Sequence, residues 1–200
     1  EKRSFFLDGA TFFDFPVTAF FSRRIGLVNG QPQSIVGGGK MTGQAGRNDI
    51  GTLYVRTGED DDLKAPAEDF LVGRWRRRVL QHSYVGAIYT GRNTHAEVST
   101  PFRQTVGADF RLATAAFRRN KNLNFSGYWV ANTTVGDAGD SAAFGTRIEY
   151  PNDIWELSAD FQEVQQNYDP ARGFTPCGRN SATARAASCT RSGGRRWCLA

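Results

Sequence analysis

The stretch DIWELSADFQEV, residues 153–164, alternates apolar and polar side chains along almost its whole length. Successive side chains of a β-strand point to opposite faces, so this pattern predicts a strand with one apolar and one polar face. The apolar set is Trp155, Leu157, Ala159 and Phe161, and the polar set is Glu156, Ser158, Asp160 and Gln162. Residues 141–150 repeat the alternation, with Phe144 and Ile148 on the apolar side.

A period of two recurs along residues 17–166, where no segment shows sustained helical spacing. We therefore predict an all-β chain of about nine strands. The expected strands lie at about 17–28, 34–45, 50–57, 70–80, 83–91, 105–116, 121–132, 141–150 and 153–164. The glycine run 37–39 weakens its strand locally and predicts a bend or bulge there.

The joins between these strands alternate in length. Short joins lie at 46–49, 81–82, 118–122 and 151–153, and long joins lie at 29–33, 58–69, 92–102 and 133–139. Short turns on one side and long loops on the other are typical of a transmembrane β-barrel. We predict an antiparallel up-and-down meander that forms a partial transmembrane β-barrel over residues 17–176, after a lead-in segment at 1–16. The apolar strand faces would then point outward, toward lipid.

Composition agrees with this interpretation and limits the others. Mean hydropathy is −0.47, as expected where alternate residues avoid lipid. The net charge of +5 comes from the tail, because removing its five arginines from the 25 basic residues leaves 20 against 20 acidic ones. Those arginines are Arg179, Arg185, Arg191, Arg195 and Arg196. A neutral body gives no basis for nucleic-acid binding.

The tail, residues 177–200, differs from everything before it. It holds all three cysteines, in no CxxC spacing, so neither a zinc site nor a disulfide framework is indicated. Its small and basic residues predict disorder, and so abrupt a change of composition is typical of a frameshifted end. The opening Glu1-Lys2-Arg3 has no signal-peptide pattern, and we expect the chain to be a truncated or internal piece.

Residues 1–9, EKRSFFLDG, resemble the EKRPFFLEG signature of a bacterial barrel family of unknown function, DUF5916. Ser4 and Asp8 depart from the family's Pro and Glu. Further similar stretches over residues 1–176 are FSRRIG at 21–26, GGKMTG at 38–43, SYVGAIYT at 83–90, and NYDP at 167–170 with Gly173 and Phe174. The resemblance implies an outer-membrane barrel that follows a domain similar to family 9 carbohydrate-binding modules. It implies bacterial outer-membrane lipid and carbohydrate as partners, and supplies no catalytic residues.

The candidate functional residues are charged groups on polar strand faces. Arg74, Arg76 and Arg78 share one face at alternate positions, and three cations at this spacing repel unless acids or ligands answer them. The candidate acids on other strands are Asp109, Glu149, Glu156 and Asp160. Two interpretations stay open: an internal ladder of ion pairs, or a lumen selective for anionic or hydroxylated solutes.

Other motifs predict no catalytic site, metal or cofactor. Gly39-Lys40 fails the phosphate-loop pattern, which needs glycine at 34 and serine or threonine at 41, where Ser34 and Met41 stand. Gly139-Asp140-Ser141 is typical of a loop that enters a strand. His82 and His95 have no helical-spacing partner, and the acidic run 59–62 lacks the ligand spacing of a calcium loop.

The favoured function is therefore passive, as a channel or as a membrane anchor for a sugar-binding domain. One alternative is a carbohydrate-binding or glycan-active protein, which would bring carboxylates together at glycosidase spacing. A second alternative is a soluble β-sandwich interaction domain. In a sandwich the apolar faces would bury against each other.

Overall fold

A computed structural model describes residues 10–16, 25–28, 31–95, 102–117, 121–132, 141–151, 155–165, 181–192 and 195–199. A short 3-10 helix spans Ala10–Phe13. The strands are β1 Leu27–Val28, β2 Gln31–Pro32, β3 Ile35–Ala45, β4 Asn48–Thr57, β5 Glu68–Leu80, β6 Ser83–Thr94, β7 Phe102–Phe117, β8 Lys121–Asn132, β9 Ala142–Pro151, β10 Trp155–Val164, β11 Ser181–Ser192 and β12 Arg195–Leu199. Over this part of the chain, no helix is long and apolar enough to span a membrane.

Strands β3 to β12 form one ten-stranded sheet in which each strand pairs with its sequence neighbours. Every pairing in it is antiparallel, and β1 pairs with β2 in a separate two-stranded sheet. The predicted all-β meander is confirmed, with ten strands in the sheet rather than about nine. Strands β3 to β10 match the predicted ones from 34–45 onward. Most of the strand predicted at 17–28 lies outside the described residues; its described end is a turn at 25–26 followed by β1, which pairs with β2 and not with the main sheet.

The strands begin and end along two opposite sides of the sheet, and these two sides carry different connections. The joins 46–47, 81–82, 118–120 and 152–154 follow every second strand and lie at what we call the short-turn edge. The joins 58–67, 95–101 and 133–141 lie at the opposite, long-loop edge. Gly46 has a φ of 61°, which a two-residue turn between β3 and β4 readily accepts in glycine. The predicted alternation of short and long joins is confirmed from β3 to β10, whereas the long join predicted at 29–33 contains β2, which pairs with β1. The register shift between Ile35 and Gly37 lies just before the glycine run 37–39, which itself pairs regularly with β4.

The tail differs from its prediction. Disorder was expected over 177–200, but β11 pairs with β10 along its length and β12 pairs with β11. The prediction of disorder is wrong for these two segments. The composition of the tail argues against its folding by itself. Without β11, however, β10 would be an edge strand, and its unpaired backbone groups can pair with any extended segment.

The sheet has two unlike faces. The face we call inner carries buried side chains at alternate positions of neighbouring strands, among them Leu53, Val55, Phe70, Val72 and Ile88. The outer face exposes large apolar side chains at the positions between them, among them Leu71, Trp75, Val85, Trp129 and Ile148. Leu157 and Phe161, expected on the outward apolar face, are 44% and 38% exposed. The side chain of Trp155 lies outside the described residues.

Candidate functional site on the inner face

An ion pair lies buried at the centre of the inner face. Arg74 of β5 donates from Nη1 to Asp109 Oδ1 at 2.6 Å and from Nη2 to Oδ2 at 2.9 Å. The two side chains are 2% and 0% exposed. A bidentate, charge-assisted pair of this kind fixes both side chains in direction as well as in charge.

The pair crosses a whole strand, because β6 lies between β5 and β7. Neighbouring strands lie about 4.8 Å apart, so the two backbones are roughly twice that distance apart. Gly86 of β6 stands directly opposite Asp109 in the register. A Cβ on Gly86 would lie 2.7 Å from Arg74 Nη1 and 2.8 Å from Asp109 Oδ1. The absent side chain therefore opens the path along which the two charges meet.

Arg76 and Arg78 share a single carboxylate near the short-turn edge. Their Nη2 atoms lie 3.2 Å and 3.5 Å from the two oxygens of Asp49 on β4. Arg78 also donates to the Gly46 carbonyl at 3.2 Å, and Arg76 lies over the Tyr84 ring at 5.4 Å. Two cations on one anion leave this group with a net positive charge. Sequence reasoning missed Asp49 because it assigned that residue to a turn.

A third, more open group lies on β9 and β10. Arg147 donates from Nε to Asp160 at 2.9 Å, and its Nη1 lies 3.6 Å from Glu149. Arg147 and Asp160 border a cavity of about 430 Å³, whose lining also includes Pro16, Tyr128 and Gln162. The hydroxyl of Tyr128 is buried and has no hydrogen-bond partner among the described residues. The cavity therefore combines an aromatic ring with several polar groups.

The predicted charged residues thus fall into three groups rather than one ladder. Arg74 meets Asp109, Arg76 and Arg78 meet Asp49, and Glu149 and Asp160 meet Arg147. Glu156 lies in β10, but its side chain is outside the described residues. Each of the three predicted arginines has a carboxylate partner, and Arg76 and Arg78 share theirs.

The N-terminal residues 10–16 also lie on the inner face, which the sequence did not indicate. Phe13 packs in a cluster with Leu53, Val55, Phe70 and Val72. Phe15 packs farther along the sheet, against the cluster that includes Ile88 and Val130. The only signal was the aromatic density of the stretch FFDF, which does not alternate and so predicts no strand.

The remaining motifs stand apart from this face. His95 Nε2 lies 2.5 Å from Asp69 Oδ2 near the long-loop edge. In the acidic run, Asp60 accepts a hydrogen bond from the Leu63 amide at 3.1 Å, which is a local turn contact. Ser141 donates to the Asn132 carbonyl at 3.0 Å. Within the described residues no three His, Cys, Asp or Glu side chains group closely enough to hold a metal ion.

Comparison with known proteins finds no matching protein-family model, curated protein or solved structure for this chain.

Proposed function

We propose that this chain forms part of a bacterial outer-membrane β-barrel that serves as a channel or as the membrane anchor of a sugar-binding domain. The observation that carries the proposal is the distribution of side chains between the two faces. The outer face exposes large apolar groups, while the inner face buries an ion pair beside two apolar clusters. Apolar groups exposed outside and charge pairs held inside are typical of a barrel whose outside meets lipid.

The outer face needs an apolar partner. Burying one large aliphatic or aromatic side chain is worth about 1.5–3 kcal/mol, so leaving many in water is costly. Trp75, Trp129 and Ile148 are among the exposed ones. Lipid is a suitable partner because β3 to β10 are 10 to 16 residues long, against the roughly 9–11 that a tilted strand needs to span the hydrocarbon layer. Their pairing also satisfies backbone groups that lipid cannot.

The channel half of the proposal is supported by charge. The Arg76, Arg78 and Asp49 group is positive and partly open, with Arg78 48% exposed. A ring or patch of one sign inside a pore favours solutes of the other sign. We therefore propose anionic or hydroxylated solutes. The anchor half is supported by the resemblance of residues 1–176 to DUF5916, whose barrel follows a sugar-binding domain.

A carbohydrate-binding role is the second candidate, and the cavity beside Tyr128 favours it. An aromatic ring with Arg147, Asp160 and Gln162 around it offers stacking and hydrogen bonds of the kind a sugar uses. A β-sandwich is less favoured, because it requires the outer apolar side chains to be buried. Leu71 and Leu157 instead stay half-exposed.

The proposal is tested first by reconstitution into phospholipid vesicles and then by planar-bilayer recording. The chain should float with the vesicles after alkaline washing. In bilayers, Arg76→Gln with Arg78→Gln should shift the reversal potential toward cations, and Asp49→Asn should shift it toward anions. Folded chain that stays in the aqueous fraction would refute the membrane proposal. Insertion without conductance would refute the channel and leave the anchor.

A further inference from the structure

Residues 10–16 lie across several strands of the inner face, although they come before these strands in the sequence. At one end, Phe13 is 8% exposed and packs on side chains of β4 and β5, with Phe12 beside it. At the other end, Phe15 packs on the cluster formed by β6, β8, β9 and β10. The segment therefore spans the inner face from β4 to β8, across the direction in which the strands run.

Two glycines of the sheet make room for the segment. A Cβ on Gly51 of β4 would lie 3.2 Å from the Phe13 ring and 3.3 Å from Phe12 Cβ. A Cβ on Gly107 of β7 would lie 3.0 Å from the Phe15 ring. Both glycines face inward, where a side chain would displace the aromatic rings. Glycine inside a strand often marks close approach of another group, and here that group is the N-terminal segment.

Phe15 also covers the central ion pair. Its ring lies 5.3 Å from Arg74 Cζ and meets the Tyr128 ring edge-on, with 6.2 Å between centroids. A cation over an aromatic face is attracted to it, more strongly where water is excluded. Phe15 thus contributes both an apolar cover and an electrostatic contact. Its removal would uncover Arg74 and Asp109 on the inner face.

We propose that residues 10–16 are a built-in plug that docks on the inner face and closes it to passing solutes. The inference rests on the proposed channel function, because a plug can regulate the protein only if solutes pass along the inner face. It deepens that function by naming the element that regulates it. The segment lies across the strands, so a solute that moves along the inner face meets it at the level of Arg74.

Docking is tested by a disulfide between Phe12→Cys and Gly51→Cys. The Cβ atoms would lie 3.3 Å apart, close to the roughly 3.8 Å of natural disulfides. The background carries Cys177→Ser, Cys189→Ser and Cys198→Ser, so that no other thiol competes. The control pairs Phe12→Cys with Gly43→Cys, since Gly43 alternates with the inward positions of β3 and has open space around it. Peptide mapping by mass spectrometry should find the link in the first pair and not in the second.

Closure is tested by bilayer conductance of the same proteins. The linked Phe12→Cys, Gly51→Cys protein should conduct least, and reduction should raise its conductance several-fold. The control pair should not respond to reduction. Phe15→Ala, in the cysteine-free background and without any link, should conduct several-fold more than its parent because it loses the contacts to Arg74 and Tyr128.

The outcomes separate the plug from the channel. Equal linking in both cysteine pairs, or none in either, would overturn docking whatever the membrane results. Linking without a change of conductance on reduction would overturn the plug and leave the channel. Vesicle insertion without conductance in any variant, Phe15→Ala included, would overturn the plug together with the channel and leave the anchor.

Discussion

The inner and outer faces of the sheet are built from the same strands, yet the inner face buries charged side chains and the outer face exposes apolar ones. On β5, Arg74 is buried and its neighbour Trp75 is 40% exposed. In a protein surrounded by water the reverse is the usual order. The inner face combines ion pairs with two buried apolar clusters, whereas the outer face leaves large apolar side chains exposed. The comparison teaches that burial on this sheet follows the face on which a side chain lies rather than its polarity.

The inner face itself is uneven. The Arg74–Asp109 pair is almost fully buried, whereas Arg147, which pairs with Asp160 and Glu149, is 56% exposed. A buried charge that loses its partner keeps its full desolvation cost, and an exposed one recovers hydration. The same kind of contact should therefore have very different importance in the two places.

The largest expected effect is the loss of Asp109. Asp109→Ala leaves Arg74 buried without its carboxylate and should lower the free energy of unfolding by about 3–5 kcal/mol. The matched control, Glu149→Ala, removes one acid from the exposed group and should cost about 0–1 kcal/mol. Urea unfolding in lipid or detergent measures both.

The double replacement Arg74→Met with Asp109→Leu sharpens this test. It removes both charges from the same space and should recover most of the stability that Asp109→Ala loses, because no unpaired charge remains. Equal costs for Asp109→Ala and Glu149→Ala would contradict the contrast between the buried and the open group.

The next effect tests the outer face. Leu157→Arg places a charge among exposed apolar side chains and should cost about 2–4 kcal/mol if the site lies near the middle of a bilayer. The neighbouring Ser158→Arg, on the opposite face, should cost much less because it points to the polar side beside Glu149. Folding in lipid vesicles measures both. A Leu157→Arg protein as stable as Ser158→Arg would show that no lipid contacts this face.

Much of the fold follows from the sequence because alternation is a local property. A period of two fixes which side chains share a face, so alternation alone puts Leu157 and Phe161 together on the apolar side of their strand. The turn residues likewise indicate the order of short and long joins. Strands β3 to β10 needed nothing beyond these two signals.

The rest depends on contacts between distant segments. The partner of Arg74 is 35 positions away and is reached only across Gly86, so alternation placed Asp109 among the candidate acids but could not select it. Asp49 was assigned to a turn, although it binds two arginines. The segment 10–16 has no strand pattern, and its place is set by glycines on β4 and β7. β11 forms by backbone pairing with β10, which composition does not predict.

The smallest of these effects concerns Gly86, where the side chains of Arg74 and Asp109 fill the space above the strand. Gly86→Ala puts a methyl group 2.7 Å from Arg74 Nη1 and 2.8 Å from Asp109 Oδ1. Both atoms end flexible side chains, but they are bound to each other and buried, so neither can move without weakening the pair. The free energy of unfolding should fall by about 1–3 kcal/mol.

The control is Gly73→Ala on β5, where nothing lies within 4 Å of the new methyl group and the change should be within about 0.5 kcal/mol. Urea unfolding of both variants beside Asp109→Ala places them on one scale. If Gly86→Ala were as mild as Gly73→Ala, the ion pair would not need the gap in β6, and its path across the strand would be incidental.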